Sequence, residues 1–105
     1  MLFRSSPASS GLTLTVASHT GTSTIAAATT FAAVNSTSGG FTLSLEASPA
    51  TGKLLYVKDV GGQTGTNNVT LAGNGKTIDG AANFLFAGNY TSLTLVYNGT
   101  EWSIV

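Results

Sequence analysis

Apolar and polar residues alternate with a period of two over much of the chain. Leu12, Leu14 and Val16 alternate with Thr13 and Thr15; Phe41, Leu43 and Leu45 alternate with Thr42, Ser44 and Glu46. Side chains two apart share one face of a strand, so each run predicts a strand with an apolar face and a hydroxyl-bearing or acidic face. Thr22-Ser23-Thr24-Ile25, Phe31-Ala32-Ala33-Val34, Asn68-Val69-Thr70-Leu71 and Phe84-Leu85-Phe86 predict further short strands. Leu54-Leu55-Tyr56-Val57 is apolar on both faces, which places it centrally in a sheet or at a subunit contact. Gly39-Gly40, Gly61-Gly62, Gly65, Gly73-Asn74-Gly75, Asp79-Gly80 and Gly88-Asn89 punctuate the gaps. Short strands at close spacing with turn signals between them predict an all-β fold, a single-domain antiparallel β-sandwich or barrel. Ala26-Ala27-Ala28 favours helix by composition. The Thr residues on both sides are β-branched, and the segment reads as strand or loop. No internal repeat stands out.

The final residues predict a closing β-hairpin. Ser92 to Tyr97 and Thr100 to Val105 flank Asn98-Gly99, the dipeptide that best suits a two-residue type I′ turn. Such a turn sets Tyr97 opposite Thr100, Leu95 opposite Trp102 and Leu93 opposite Ile104. Leu93, Leu95, Trp102 and Ile104 then share one face, and Thr94 and Ser103 the other.

With 105 residues, one domain is expected, burying roughly two-thirds of its unfolded surface. Ser5-Ser6-Pro7-Ala8-Ser9-Ser10-Gly11 makes residues 1–11 read as an N-terminal arm, leaving 12–105 as the β domain. Arg4, Lys53, Lys58 and Lys76 balance Glu46, Asp59, Asp79 and Glu101, for a net charge of zero. Scattered cations do not make the basic face of a nucleic-acid binder, so no nucleic-acid partner is expected. Net neutrality also suits a molecule whose surface is covered in its working state, by its own copies or a larger assembly. Without cysteine, disulfides and thiolate metal sites are excluded. Met1-Leu2-Phe3-Arg4 is too short for the apolar core of a signal peptide, and no apolar run approaches the ~18 residues of a membrane helix. The expectation is synthesis in the cytoplasm and no membrane partner.

Candidate catalytic chemistry is sparse, and the chain reads as a non-enzyme. His19, the single histidine, lies between Ser18 and Thr20 and reads as an exposed loop residue; no nucleophile-elbow pattern supports a triad. Glu46, Asp59, Asp79 and Glu101 fall at strand ends and turns, where carboxylates are ordinarily solvated or cap the turn. Gly73-Asn74-Gly75-Lys76-Thr77 has the ending of a phosphate-binding loop. Thr70 stands where that motif needs its first glycine, and Ile78-Asp79-Gly80 follows instead of a helix, so it reads as a plain turn. No ligand spacing suggests a metal, and no cofactor is expected. The sequons at Asn35, Asn68, Asn89 and Asn98 are expected by chance in a chain this rich in Ser and Thr.

A surface chemistry remains. Hydroxyls stacked along strands bond a partner or water without the desolvation cost of charges. Leu54, Tyr56 and Tyr90 are the candidate subunit-interface residues, whereas Trp102 and the phenylalanines read as core.

Residues 52 to 105 carry an opening strand ending in Lys58-Asp59, a Gly/Asn-rich loop from Gly61 to Asn68, the segment Gly75-Lys76-Thr77-Ile78-Asp79-Gly80, and a closing Asn98-Gly99-Thr100-Glu101-Trp102 hairpin. This half of the chain resembles structural proteins of tailed bacteriophages, including the ends of tail fibres and other virion surface proteins. The resemblance implies a virion surface β-module without catalytic residues. The expected function is a capsid decoration (cement) protein, bound to the major capsid protein as a homotrimer and stabilising the shell. The short chain without a shaft favours that over a tail fibre or head fibre. Met1, Leu2, Phe3 and Arg4 are then candidates for capsid or neighbour contact. The alternative is a receptor-binding fibre module whose loops at Gln63 to Asn68 and Asn89-Tyr90 contact a cell-surface glycan.

Overall fold

The computed structural model describes residues 12–105, so the expected N-terminal arm, with Met1, Leu2, Phe3 and Arg4, lies outside the described residues. Nine strands and no helix make up the described residues: β1 Val16–His19, β2 Ser23–Thr24, β3 Phe31–Val34, β4 Phe41–Ser44, β5 Leu54–Asp59, β6 Val69–Ala72, β7 Asn83–Phe86, β8 Ser92–Tyr97 and β9 Trp102–Ile104. They form two sheets. Sheet A has the order β1-β3-β5-β8-β9 and sheet B the order β2-β4-β6-β7.

Up to β6, successive strands alternate between the sheets, and within each sheet the successive members run parallel. The chain therefore winds in coils. Val16, Phe31 and Tyr56 stand in register across sheet A, 15 and then 25 residues apart; Ser23, Leu43 and Leu71 stand in register across sheet B, 20 and then 28 apart. Antiparallel pairing begins only with β7 against β6, β8 against β5 and β9 against β8. The expected all-antiparallel arrangement is thus corrected to two mixed sheets. The in-out alternation is identical for parallel and antiparallel neighbours, so it does not carry strand direction. Because the coils differ in length, the recurrence of rungs leaves no fixed sequence period.

One core lies between the sheets. Ala32, Val34, Leu55, Val57, Leu93, Leu95, Tyr97 and Trp102 point inward from sheet A, and Leu43, Val69, Leu71 and Phe86 from sheet B, in a single contiguous cluster. Trp102 is fully buried, as expected for core, and its ring meets Tyr97 edge-on at 5.5 Å. β5 occupies the middle of sheet A, as its two-sided apolar pattern predicts.

The closing hairpin differs from expectation in register. Leu95 pairs with Ile104 and Tyr97 with Trp102, so the connection is residues 98–101 rather than Asn98-Gly99 alone. The Asn98 carboxamide explains the longer loop: its Oδ1 accepts from the N–H groups of Thr100 and Glu101 at 2.9 and 3.0 Å. That caps a wider turn than type I′. A slip of two residues conserves faces, so Leu93, Leu95, Trp102 and Ile104 still share the inward side.

The segment between β6 and β7 folds back over the edge of β9. Trp102 N–H donates to Thr77 O, Asp79 N–H to Trp102 O, and the Asp79 carboxylate accepts from Ile104 N–H at 3.2 Å. Ile78, 2 % exposed, closes the core beneath.

Candidate functional site

Two outward regions carry the chemistry left over from the core. The first is the outer face of sheet A. Along β5, burial alternates strictly, with Leu55, Val57 and Asp59 inward and Leu54, Tyr56 and Lys58 half-buried on the outside. Register extends this face sideways. Val16, Phe31, Tyr56 and Thr94 form one row, and Leu54, Val96 and Ser103 another. The outer face of sheet B contrasts with it: Thr42, Thr70 and Leu85 form one row and Thr24, Ser44, Ala72 and Asn83 another. The hydroxyl ladder expected from the sequence belongs to sheet B, whereas sheet A carries the large apolar side chains.

The second region is the loop cluster at one end of the sheets, built by residues 35–40, 60–68 and 87–91. Asp59 organises it. Its side chain has no solvent exposure, and four donors converge on it: Gly62 N–H on Oδ1 at 2.9 Å, and Thr64 N–H at 3.1 Å, Thr64 Oγ1–H at 2.8 Å and Tyr90 N–H at 3.0 Å on Oδ2. Burial raises the carboxyl's pKa, but the hydrogen bonds from Thr64, Tyr90 and Gly62 outweigh it and hold the group below its ordinary 3.8. Of the two readings the sequence left for Asp59, solvated or capping a turn, the structure has the second: it is a buried anion that caps the loop after β5 and is satisfied by two loops.

Asn side chains tie the remaining loops together. Asn67 Nδ2 donates to Ser36 O at 2.8 Å, Asn68 Nδ2 to Thr64 O at 2.7 Å, and Asn89 Oδ1 accepts from Gly65 N–H at 2.9 Å. The sequence marked these residues as possible ligand contacts, and the structure uses much of their capacity internally. Tyr90 is the exception. It is 59 % exposed with φ at +63°, a costly conformation for an aromatic residue. Its N–H is held by Asp59, its carbonyl accepts from Lys58 Nζ at 2.5 Å, and Lys58 Nζ sits 5.7 Å from its ring centroid. Gly62, at φ +70°, lies under the ring, where any Cβ would strike Tyr90.

The three interface candidates are thereby connected. Leu54 and Tyr56 share the outer face of β5, Lys58 continues that face, and Lys58 leads to Tyr90. No sequence signal marked Val16, Phe31 and Val96 as their neighbours, because the register that joins them comes from coils of unequal length. Met1 to Arg4, the capsid-contact candidates, lie outside the described residues.

His19, Glu46, Lys53 and Glu101 serve structure. His19, expected to be exposed in a loop, is the last residue of β1 and only 9 % exposed. It points between the sheets, its Nδ1 2.9 Å from Ser23 Oγ, and burial lowers its pKa from the ordinary 6.5. Glu46 pairs with Lys53 at 3.4 Å, and Lys53 also donates to Ala27 O. Glu101 Oε1 accepts from Thr77 Oγ1–H at 2.5 Å and Gly80 N–H at 2.8 Å, which hold its pKa below the ordinary 4.5. Asn74 and Gly75, at φ +55° and +94°, form the plain turn expected in place of a phosphate loop. No family profile matches the chain, and no curated protein matches it significantly.

Proposed function

We propose that this chain is a virion structural protein that works by adhesion, and that its place is on the capsid as a decoration (cement) protein. Its two sheets, facing each other across one core, are read as a sandwich that presents sheet A to its partner. The observation that carries the reading is the outer face of sheet A. Val16, Phe31, Leu54, Tyr56 and Val96 lie on one broad face with a single cation, Lys58, whose ammonium is engaged by Tyr90. Large apolar and aromatic side chains, with the one charge among them already engaged, are what a buried interface centre requires. The resemblance of residues 52 to 105 to tailed-bacteriophage structural proteins supports the virion setting, and it implies the major capsid protein and a homotrimer as partners. Stabilisation of the shell would follow from area buried on each bound copy and from mass action.

The test is copy number per purified particle, measured by quantitative mass spectrometry against the major capsid protein. A decoration protein is present in a simple ratio to the capsid protein, and Tyr56→Glu lowers its occupancy while the protein still folds. Absence from the particle overturns the virion reading. Removing residues 1 to 10 tests the arm as a capsid contact: occupancy falls if it is one and stays unchanged if it is not.

The exposed, strained Tyr90 favours a second reading. Backbone strain held in place by several bonds concentrates at binding sites, and a rigid aromatic next to Asn89 and over Gly62 suits the apolar face of a sugar ring. In that reading the chain is a receptor-binding fibre module. A few copies per particle, together with glycan binding that Tyr90→Ala abolishes, would establish it in place of the capsid role.

A further inference from the structure

The two ends of the sheet stack are built differently. At the far end, the outer edge of β9 is filled by residues 77–81. At the near end, β1 is the first strand of sheet A and β2 the first strand of sheet B. Thr15 O accepts from Phe31 N–H, and His19 O accepts from Asn35 N–H. The odd-numbered residues of β1 thus bond inward, and by alternation the N–H and C=O groups of Val16 and Ser18 face outward. No strand pairs with that side of β1, or with that side of β2, among the described residues. Val16 is 63 % exposed and both residues of β2 are exposed.

Proteins that keep such edges apart blunt them with lysine, proline or a bulge. β1 reads Val-Ala-Ser-His and β2 Ser-Thr, and the chain carries no Lys, Arg, Asp or Glu between Arg4 and Glu46. Every charge of the described residues belongs to the later coils. His19, the one titratable group here, is turned inward onto Ser23.

We infer that this end is a self-association surface, at which two copies of the chain meet about a two-fold axis, β1 against β1 and β2 against β2. Placing the axis at Ala17 sets Val16 opposite Ser18 of the second copy. Those are the residues whose backbone groups face outward, so each exchanges both its N–H and its C=O, and the inner and outer faces of the sheets stay continuous across the contact.

A second copy is the occupant because of the geometry and the charge. The end presents two edges separated by the thickness of a core, about 10 Å, and a lone strand covers only one of them. Another such end supplies two edges at the same spacing. An uncharged end also meets itself without the repulsion that disfavours like-charged contacts. Since β9 has its outer edge filled, sheet A cannot continue by head-to-tail stacking, and the contact closes as an isologous pair. This inference does not rest on the virion role; Val16 belongs to both surfaces, and a homotrimer agrees with the edge contact only as two paired trimers.

Sedimentation of the full-length protein over a wide concentration range tests it. The expected species contains an even number of copies, either a dimer or a pair of larger rings. Val16→Pro removes an N–H that makes no bond among the described residues and is tolerated on an edge. Val16→Lys adds a charge to the same edge without altering the backbone. Either variant is expected to halve the mass, with far-ultraviolet circular dichroism and Trp102 fluorescence unchanged. Should the proline unfold β1, the lysine variant decides. A monomer or an odd-numbered assembly of the unaltered protein overturns the inference, as does an even-numbered assembly that neither variant splits.

Discussion

Asp59 shows how much one side chain carries here. A carboxylate with no solvent exposure is tolerable only when its lone pairs are filled, and donors from two loops fill them. Asp59→Ala leaves the N–H groups of Gly62, Thr64 and Tyr90 without their acceptor, those of Gly62 and Thr64 in buried surroundings. Hydrogen bonds to a charged group contribute about 1.5–3 kcal/mol each and are not additive, so a loss of about 3 kcal/mol is expected, read as a lowered denaturant midpoint. Because the native pKa lies below 3.8, this contribution is complete above that pH and is lost as pH falls through the native value. His19 acts in a different window. Its native pKa lies below 6.5, so the unfolded chain binds the proton first, and stability declines as pH drops from 6.5 towards the native value. The melting temperature is expected to fall between neutral and mildly acidic pH in the unaltered protein, and to stay level there in His19→Gln. Tyr90 separates stability from binding. Asn tolerates the left-handed region better than Tyr, so Tyr90→Asn is expected to keep stability within about 1 kcal/mol while partner binding is lost, as a pull-down or glycan-binding assay would show.

At the scale of elements, the hairpin and the turns decide register. Asn98 binds the Thr100 and Glu101 amides through Oδ1 and Ser103 Oγ through Nδ2 at 2.9 Å, so it selects the four-residue connection over the two-residue turn. Asn98→Ala is expected to cost about 1 kcal/mol in thermal unfolding. At Gly73, between β6 and the turn over β9, an added Cβ would collide with the backbone carbonyl of Lys76. That atom cannot swing away as a side chain would. Gly73→Ala is therefore expected to destabilise by about 2 kcal/mol or more and to loosen the cover on β9, seen as faster hydrogen exchange at Trp102 N–H, which bonds Thr77 O. Gly21→Ala serves as the control, since nothing lies within 4 Å of its added Cβ and its φ is not positive.

For the whole molecule, winding between two sheets makes most contacts distant in sequence, and such topologies fold slowly. It also grades stability from the middle outward. β5 is paired on both sides, with β3 and β8, and its inward residues Leu55 and Val57 are each 1 % exposed. Leu55→Ala is expected to cost about 3 kcal/mol or more in denaturant unfolding, whereas Val16→Ala at the open edge is expected to leave monomer stability nearly unchanged.

The sequence by itself determined most of the residues that lie in strands and, outside β1, which of them face inward, because a period of two is a local property of the extended backbone; in β1 the apolar Val16 faces out and His19 faces in. Phe31–Val34 was legible in full and most other strands to within a few residues, with β1 beginning four residues later than its alternation does. Trp102 was legible as core and β5 as a central strand. Of the candidate site, the sequence marked Leu54, Tyr56 and Tyr90 but not the cation that joins them. Tertiary structure alone decided that β1, β3 and β5 run parallel, that the chain coils between two sheets, and that Asp59 and His19 are buried. Strand direction depends on where each loop crosses, and burial of a polar group depends on donors or packing brought from distant coils. Neither is written in the residues immediately around it.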